Sequence, residues 1–184
     1  MSLPNAYAPA SSTALPLHVL THAQFAGWRA QQSPALQGWL DAQGFVAAPG
    51  TLALLPGTEG IAGAVIGIGD PQDVYAYAHA PHGLPVGDWQ LATPLDQTAR
   101  AALQLGWGLG SYRFDRYKKP ARQPARLVLE NGDAEAHDLL AACVRVRDLV
   151  NTPTEHMGPQ ELEDAAREIA NTHGAQVEVI SGDE

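Results

Sequence analysis

The sequence predicts an α/β fold in which a mixed sheet is covered by helices. Three observations carry this. Short apolar runs with strand character alternate with longer stretches of helical period along most of the chain. Two apolar runs near the middle, 51–55 and 61–68, flank a Pro-Gly-Thr-Glu-Gly segment and read as a hairpin, which adds an antiparallel pair to an otherwise parallel pattern. Apolar residues make up 45% of the 184, enough for a sizeable core.

Taken in order, the first dozen residues are rich in Pro, Ala and Ser and predict a loose tail over 1–14. LPLHVL, Leu15 to Leu20, reads as a strand. Thr21 with Gln24 three residues later has the form of a capping box, so a helix through Phe25 and Trp28 follows. Ser33-Pro34 starts a second helix, with Leu36, Trp39 and Leu40 on its apolar face and Gly44 placed to end it. After the hairpin, Asp70-Pro71 predicts a helix through Val74, Tyr75 and Ala78. Trp89 to Ala92 predicts a brief strand. Thr93-Pro94 predicts the start of a helix carrying Leu95, Ala99, Ala102 and Leu109. RLVLE, Arg126 to Glu130, is a strand closed by Asn131-Gly132. From Asp133 a long helix reaches about Val150, with Leu139, Cys143, Val146 and Val150 as its expected inward stripe. Asn151-Thr152-Pro153 breaks it. Gly158-Pro159 begins another helix that His173-Gly174 ends, and QVEVI, Gln176 to Ile180, is a final strand with nothing after it to pack against.

The formal net charge of −9, from 11 Lys+Arg against 20 Asp+Glu, opposes binding to phosphate backbones, so no nucleic-acid partner is expected. The basic cluster Arg113, Arg116, Lys118, Lys119, Arg122 and Arg126 reads as a solvated linker. One cysteine, Cys143, forms no intrachain disulfide and fits a reducing compartment. No basic start leads into an apolar run, and no apolar run nears the ~18 residues that span a bilayer. A soluble, cytoplasmic protein without a membrane partner is the expectation.

Few residues invite chemistry. His79 and His82, with Asp88 as a third donor, could hold a metal, but Pro81 lies between the histidines and breaks helical spacing. Loop histidines at a helix end are the simpler reading. Gly67-Ile68-Gly69 ends a strand, but a dinucleotide fingerprint would need glycine where Gln72 stands, so a tight turn is expected there. Gly106, Gly108 and Gly110 have no strand before them and should let a helix approach a neighbour. Glu130 and Asp133 bracket a turn. Glu161, Glu163, Asp164 and Glu168 crowd one helix, where acids near the start complement the dipole. Cys143 reads as an inert core thiol.

Two segments resemble the leucyl (cytosol) aminopeptidase family. They are GWGLGSYRFDRYK, Gly106 to Lys118, and RDLVNTP, Arg147 to Pro153, the latter followed by Pro159 and a helix. The resemblance is best from Leu95 to Ile180. It implies a macro-domain-like N-terminal α/β domain at 15–132, a linker helix at 133–150, and a truncated start of the catalytic domain at 151–184. It implies a parent enzyme that removes N-terminal residues from peptides with two divalent metal ions, manganese or zinc, and that assembles as a homo-oligomer, a hexamer. The family's ligands are a lysine, aspartates and a glutamate, with an Asn-Thr-Asp-Ala-Glu-Gly-Arg signature. Asn171-Thr172-His173-Gly174 shares only its first two letters and lacks both carboxylates. The resemblance therefore carries no catalytic, cofactor-binding or metal residue onto this chain, and it implies that the chain alone is an inactive assembly or regulatory part. Two alternatives stand beside this: a macro-like domain binding a nucleotide or ADP-ribose-type ligand, with Gly67 to Asp70 as its cradle, and a pure interaction module.

Overall fold

Six strands build one sheet among the described residues, which in the computed structural model are 3–11 and 13–180. They are β1 (Tyr7–Ala8), β2 (Leu15–Thr21), β3 (Leu52–Gly57), β4 (Gly60–Ile68), β5 (Asp88–Leu91) and β6 (Arg126–Val128), in the spatial order β1-β6-β5-β2-β4-β3. Only the β3–β4 pair is antiparallel, so the sheet is mixed as the sequence predicts. The helices are α1 (His22–Ala30), α2 (Pro34–Ala42), α3 (Ala80–Gly83), α4 (Gln97–Ser111), α5 (Ala134–Asn151) and α6 (Pro159–His173). The chain divides into two compact units, Ser2–Val144 and Arg145–Glu184. Residues 1, 2, 12 and 181–184 of the expected tail and truncated start lie outside the described residues.

In the larger unit β4 is buried on both faces. Val65 joins Leu20, Phe25, Leu40, Phe45 and Leu55 on the side of α1 and α2. Its neighbours Ala64, Ile66 and Ile68 point the other way, to Tyr77, Leu84, Trp89, Leu103 and Trp107 on the side of α3 and α4. The strand period of two produces this division. The start of α1 is the capping box read from the sequence: the Gln24 amide donates to Thr21 Oγ1 at 3.4 Å and the Thr21 amide to Gln24 Oε1 at 2.9 Å. Gly44, at φ 60°, follows α2 in the left-handed conformation expected of it.

Several elements differ from the sequence reading, each for a local reason. The strands of the hairpin extend to Gly57 and Gly60, leaving a two-residue connection in place of the longer loop. The surplus residue is absorbed by a register shift at Leu55/Pro56, where proline has no amide to donate. The helix expected after Asp70-Pro71 is a 3-10 turn, Val74–Tyr77, because Asp70 and Asp73 each close a turn on the amide two residues ahead, at 2.9 Å. Thr93 does not cap α4. Its hydroxyl accepts from the Val19 amide at 2.9 Å, and Asp96 takes the capping role on the Ala99 amide at 2.8 Å. At the other end of the sheet, the expected loose tail contains β1. It pairs with β6, and Ala6 is fully buried.

The largest correction concerns α5. Its inward residues are Ala136, Leu140 and Val144, whereas Leu139, Val146 and Val150 are 47%, 58% and 78% exposed and Cys143 is half-buried. Both rows have helical spacing. The choice is made on α4, where a Cβ on Gly108 would lie 2.4 Å from Leu140 Cδ2, so the missing side chain is the seat for Leu140.

The smaller unit takes in the last turns of α5 together with α6. Arg145 faces Glu168 at 3.7 Å, Gly174 ends α6 at φ 67°, and the Gly158 amide donates to Glu161 Oε2 at 2.9 Å. Leu162, Ile169 and Ile180 are exposed, and no strand forms at 176–180.

Two pairs of substitutions test these contacts. Leu140→Ala should cost about 2–5 kcal/mol, and Val150→Ala less than about 0.5 kcal/mol, measured by urea unfolding. A Cβ on Gly106 would lie 1.9 Å from the Val74 carbonyl oxygen, while one on Gly38 in α2 meets nothing within 4 Å. Gly106→Ala should therefore destabilise by about 1–3 kcal/mol or more, and Gly38→Ala should stabilise by about 0.5–1 kcal/mol.

Candidate functional site

Asp88 and Arg126 occupy matched positions on β5 and β6, so their side chains meet across the ladder. Arg126 holds Asp88 in a two-pronged pair, Nε to Oδ1 at 2.7 Å and a terminal nitrogen to Oδ2 at 2.9 Å. That removes Asp88 as a partner for His79 and His82. His79 immediately precedes α3 and His82 lies within it, each with a buried Nε2 that has no hydrogen-bond partner. Among the described residues no three His, Cys, Asp or Glu side chains converge as a metal site requires.

The turn from Gly67 to Asp70 is filled by its own chain at Gly67. A Cβ on Gly67 would lie 2.2 Å from the Ala48 carbonyl oxygen, and the Gly67 amide and carbonyl are engaged by Thr51 and Gly50. Asp70 places a carboxylate there as well, which opposes a phosphate. The glycines of α4 act as close-approach residues: Gly106 lies under the Val74 carbonyl, Gly108 under Leu140 and Gly110 under the Ala78 carbonyl. The acids of α6 also have local tasks. Glu161 caps the helix and Glu163 pairs with Arg167 at 2.7 Å. In the basic cluster, Arg122 donates to the His82 and Leu84 carbonyls, and Arg116 lies 5.6 Å from the Tyr117 ring centre.

A formed recess lies elsewhere in the larger unit. It is a cleft of about 450 Å³ at the carboxyl ends of β5 and β6, walled by the first half of α4 and by the segment that leads into α5. Leu91, Leu95, Leu127 and Leu129 line it, with Arg100 from α4 and Glu130 from the end of β6. The far wall is fixed by Gln104, which is only 4% exposed. Its amide nitrogen donates to the Asp133 carbonyl at 2.8 Å, and its amide oxygen accepts from the Asp133 amide at 2.7 Å. Tyr7 donates to the Gln104 carbonyl at 2.7 Å, and Asp133 Oδ1 caps α5 on the Ala136 amide at 2.8 Å. Sequence reasoning weighed Glu130 and Asp133 only as a pair about a turn and passed over Arg100 and Gln104. Strand ends in a parallel sheet are where α/β proteins place ligands. Applying that rule requires knowing that β5 and β6 are neighbours.

A family profile described as "M17 aminopeptidase, N-terminal domain" matches residues 15–130. A probable cytosol aminopeptidase of Corynebacterium efficiens is 27% identical over 169 residues, covering 82% of this chain and 33% of its own length. The crystal structure of the cytosol aminopeptidase from Coxiella burnetii superposes with a TM-score of 0.83 at 29% identity, covering 95% of this chain and 39% of that one. The bottromycin maturation enzyme BotP, solved in complex with Mn, shares the fold with a TM-score of 0.61 at 21% identity, covering 89% of this chain and 37% of its own. The chain thus spans about a third of the length of the curated relative.

Three histidines should make the fold sensitive to acid. Burial lowers the pKa of His18, of His79 and of His82 below the ordinary 6.5, and for His82 the charges of Arg113 and Arg122 add to it. Each imidazole therefore binds its proton more readily unfolded than folded. Stability is full above the ordinary value and falls as pH drops below it. The urea midpoint should be flat from about pH 8 to 7 and decline towards about pH 5.5. His79→Gln should reduce that decline.

Proposed function

Because the chain belongs to the M17 aminopeptidase family by its N-terminal domain, we propose that it is the non-catalytic assembly part of a metal-dependent aminopeptidase that removes N-terminal residues from peptides. The observation that carries this is the match of the N-terminal-domain profile over residues 15–130, more than half the chain. The similarity in fold to the Coxiella enzyme, over about two fifths of that chain, supports it.

In this reading residues 15–132 form the N-terminal domain, 133–150 the linker helix and 151–184 the beginning of the catalytic domain. Several polar groups of the larger unit have structural employment: Asp88 with Arg126, Asp96 and Asp133 as caps, and Gln104 as a clamp. The smaller unit supports the reading in another way. It buries Thr152 and Ala170 while leaving Val146, Val150, Leu162, Ile169 and Ile180 exposed, a balance that suits a segment covered by further protein.

The parent enzyme would use two divalent ions, manganese or zinc, to activate water and polarise the scissile carbonyl. Among the described residues none fits that group: with Asp88 held by Arg126, His79 and His82 supply two donors where three or four are needed. The ions belong to the parent's larger part. The parent acts on peptides in the cytoplasm as a homo-oligomer, a hexamer. No described helix is long and apolar enough to cross a membrane. The filled turn at Gly67 to Asp70 leaves the ADP-ribose alternative without its cradle.

Purified alone, the chain should release no p-nitroaniline from leucyl-p-nitroanilide above the buffer rate with added manganese or zinc. Metal-dependent turnover that survives repeated purification would overturn the non-catalytic assignment.

A further inference from the structure

We propose that the cleft at the carboxyl ends of β5 and β6 is a binding site for a free α-amino acid with an aliphatic side chain. Its volume of about 450 Å³ lies within the range of small-ligand sites, about 300–1,000 Å³. Its lining combines an apolar floor, from Leu91, Leu95 and Leu129, with Arg100 and two carboxylates, Glu130 and Asp133, of which Asp133 is already engaged as the cap of α5.

The charges decide the ligand class. Arg100 and Glu130 both line the cleft, and neither forms an ion pair with the other or with any described residue. A simple carboxylate would satisfy Arg100 and leave Glu130 repelling it. A simple amine would do the reverse. A phosphate-bearing ligand would meet Glu130 and Asp133 with one guanidinium to offset them. A zwitterion satisfies both charges: its carboxylate accepts from the Arg100 guanidinium, its ammonium donates to Glu130, and an aliphatic side chain rests on the leucines.

The site is built in advance. Gln104 is buried and uses both ends of its amide on the Asp133 backbone, while its own carbonyl takes the Tyr7 hydroxyl. The wall that follows Glu130 is therefore held in place before any ligand arrives, which lowers the ordering cost of binding.

The test is an amide-resolved NMR titration of the full chain with L-leucine, which reads binding without any catalysis. The site and the aminopeptidase reading thus stand or fall separately. Saturable shifts should centre on Leu91, Arg100, Leu129 and Glu130. Arg100→Ala and Glu130→Gln, both at exposed positions, should each weaken binding by about tenfold while leaving the thermal midpoint unchanged. Isocaproate, which lacks the ammonium, and isoamylamine, which lacks the carboxylate, should each bind about tenfold more weakly than leucine. No saturable shift below about 20 mM leucine, shifts centred elsewhere, or equal binding by both variants would each overturn the proposal. So would ADP-ribose displacing leucine at lower concentration from the same amides.

Discussion

Much of the larger unit depends on how closely α4 approaches its neighbours. Gly106, Gly108 and Gly110 recur every second residue, and helical geometry turns them towards different partners: the Val74 carbonyl, Leu140 and the Ala78 carbonyl. Each absent side chain becomes room for another element. The 3-10 turn sits against α4 on one side and α5 on another, and the same helix supplies Leu103 and Trp107 to the core beneath. Trp107 also donates its indole N–H to the Ala125 carbonyl at 3.0 Å, which fixes the approach to β6. A helix with ordinary side chains at these positions would stand further out, and the wall that Gln104 builds would move with it.

The elements legible in the sequence were those whose signals are local. Thr21 with Gln24, Ser33-Pro34 and Gly44 each state a boundary in a few residues, and those boundaries are where the helices begin and end. The misread elements are those settled by distant partners. Thr93 has the chemistry of a cap, yet Val19, 74 residues away in sequence on the neighbouring strand β2, claims its hydroxyl. The α5 sequence carries two apolar rows, and only the gap on α4 chooses Leu140 over Leu139. Tyr7–Ala8 has little strand signal because its partner is 120 residues away.

The same distinction applies to the site. The histidine and glycine candidates were visible as motifs, and packing resolved them as half-buried side chains and close contacts. The cleft has no motif. Arg100 and Gln104 come from α4 and Glu130 from the segment after β6, and they line one cleft only when β5 and β6 lie side by side. The membership of the family was legible for a different reason: GWGLG reports the helix contacts themselves, so the packing constraint of α4 is written directly into residue identity.

The pairing of β1 with β6 has a consequence for synthesis. Tyr7 and Ala8 complete the sheet on a strand made more than a hundred residues after them. Until β6 emerges, the edge of β5 is open and Ala6 has no place to bury. The central strands β2, β3 and β4 can form from contiguous chain, but closure of the far edge waits for nearly the whole larger unit. The strand β1 is therefore among the last parts of this fold to find its position.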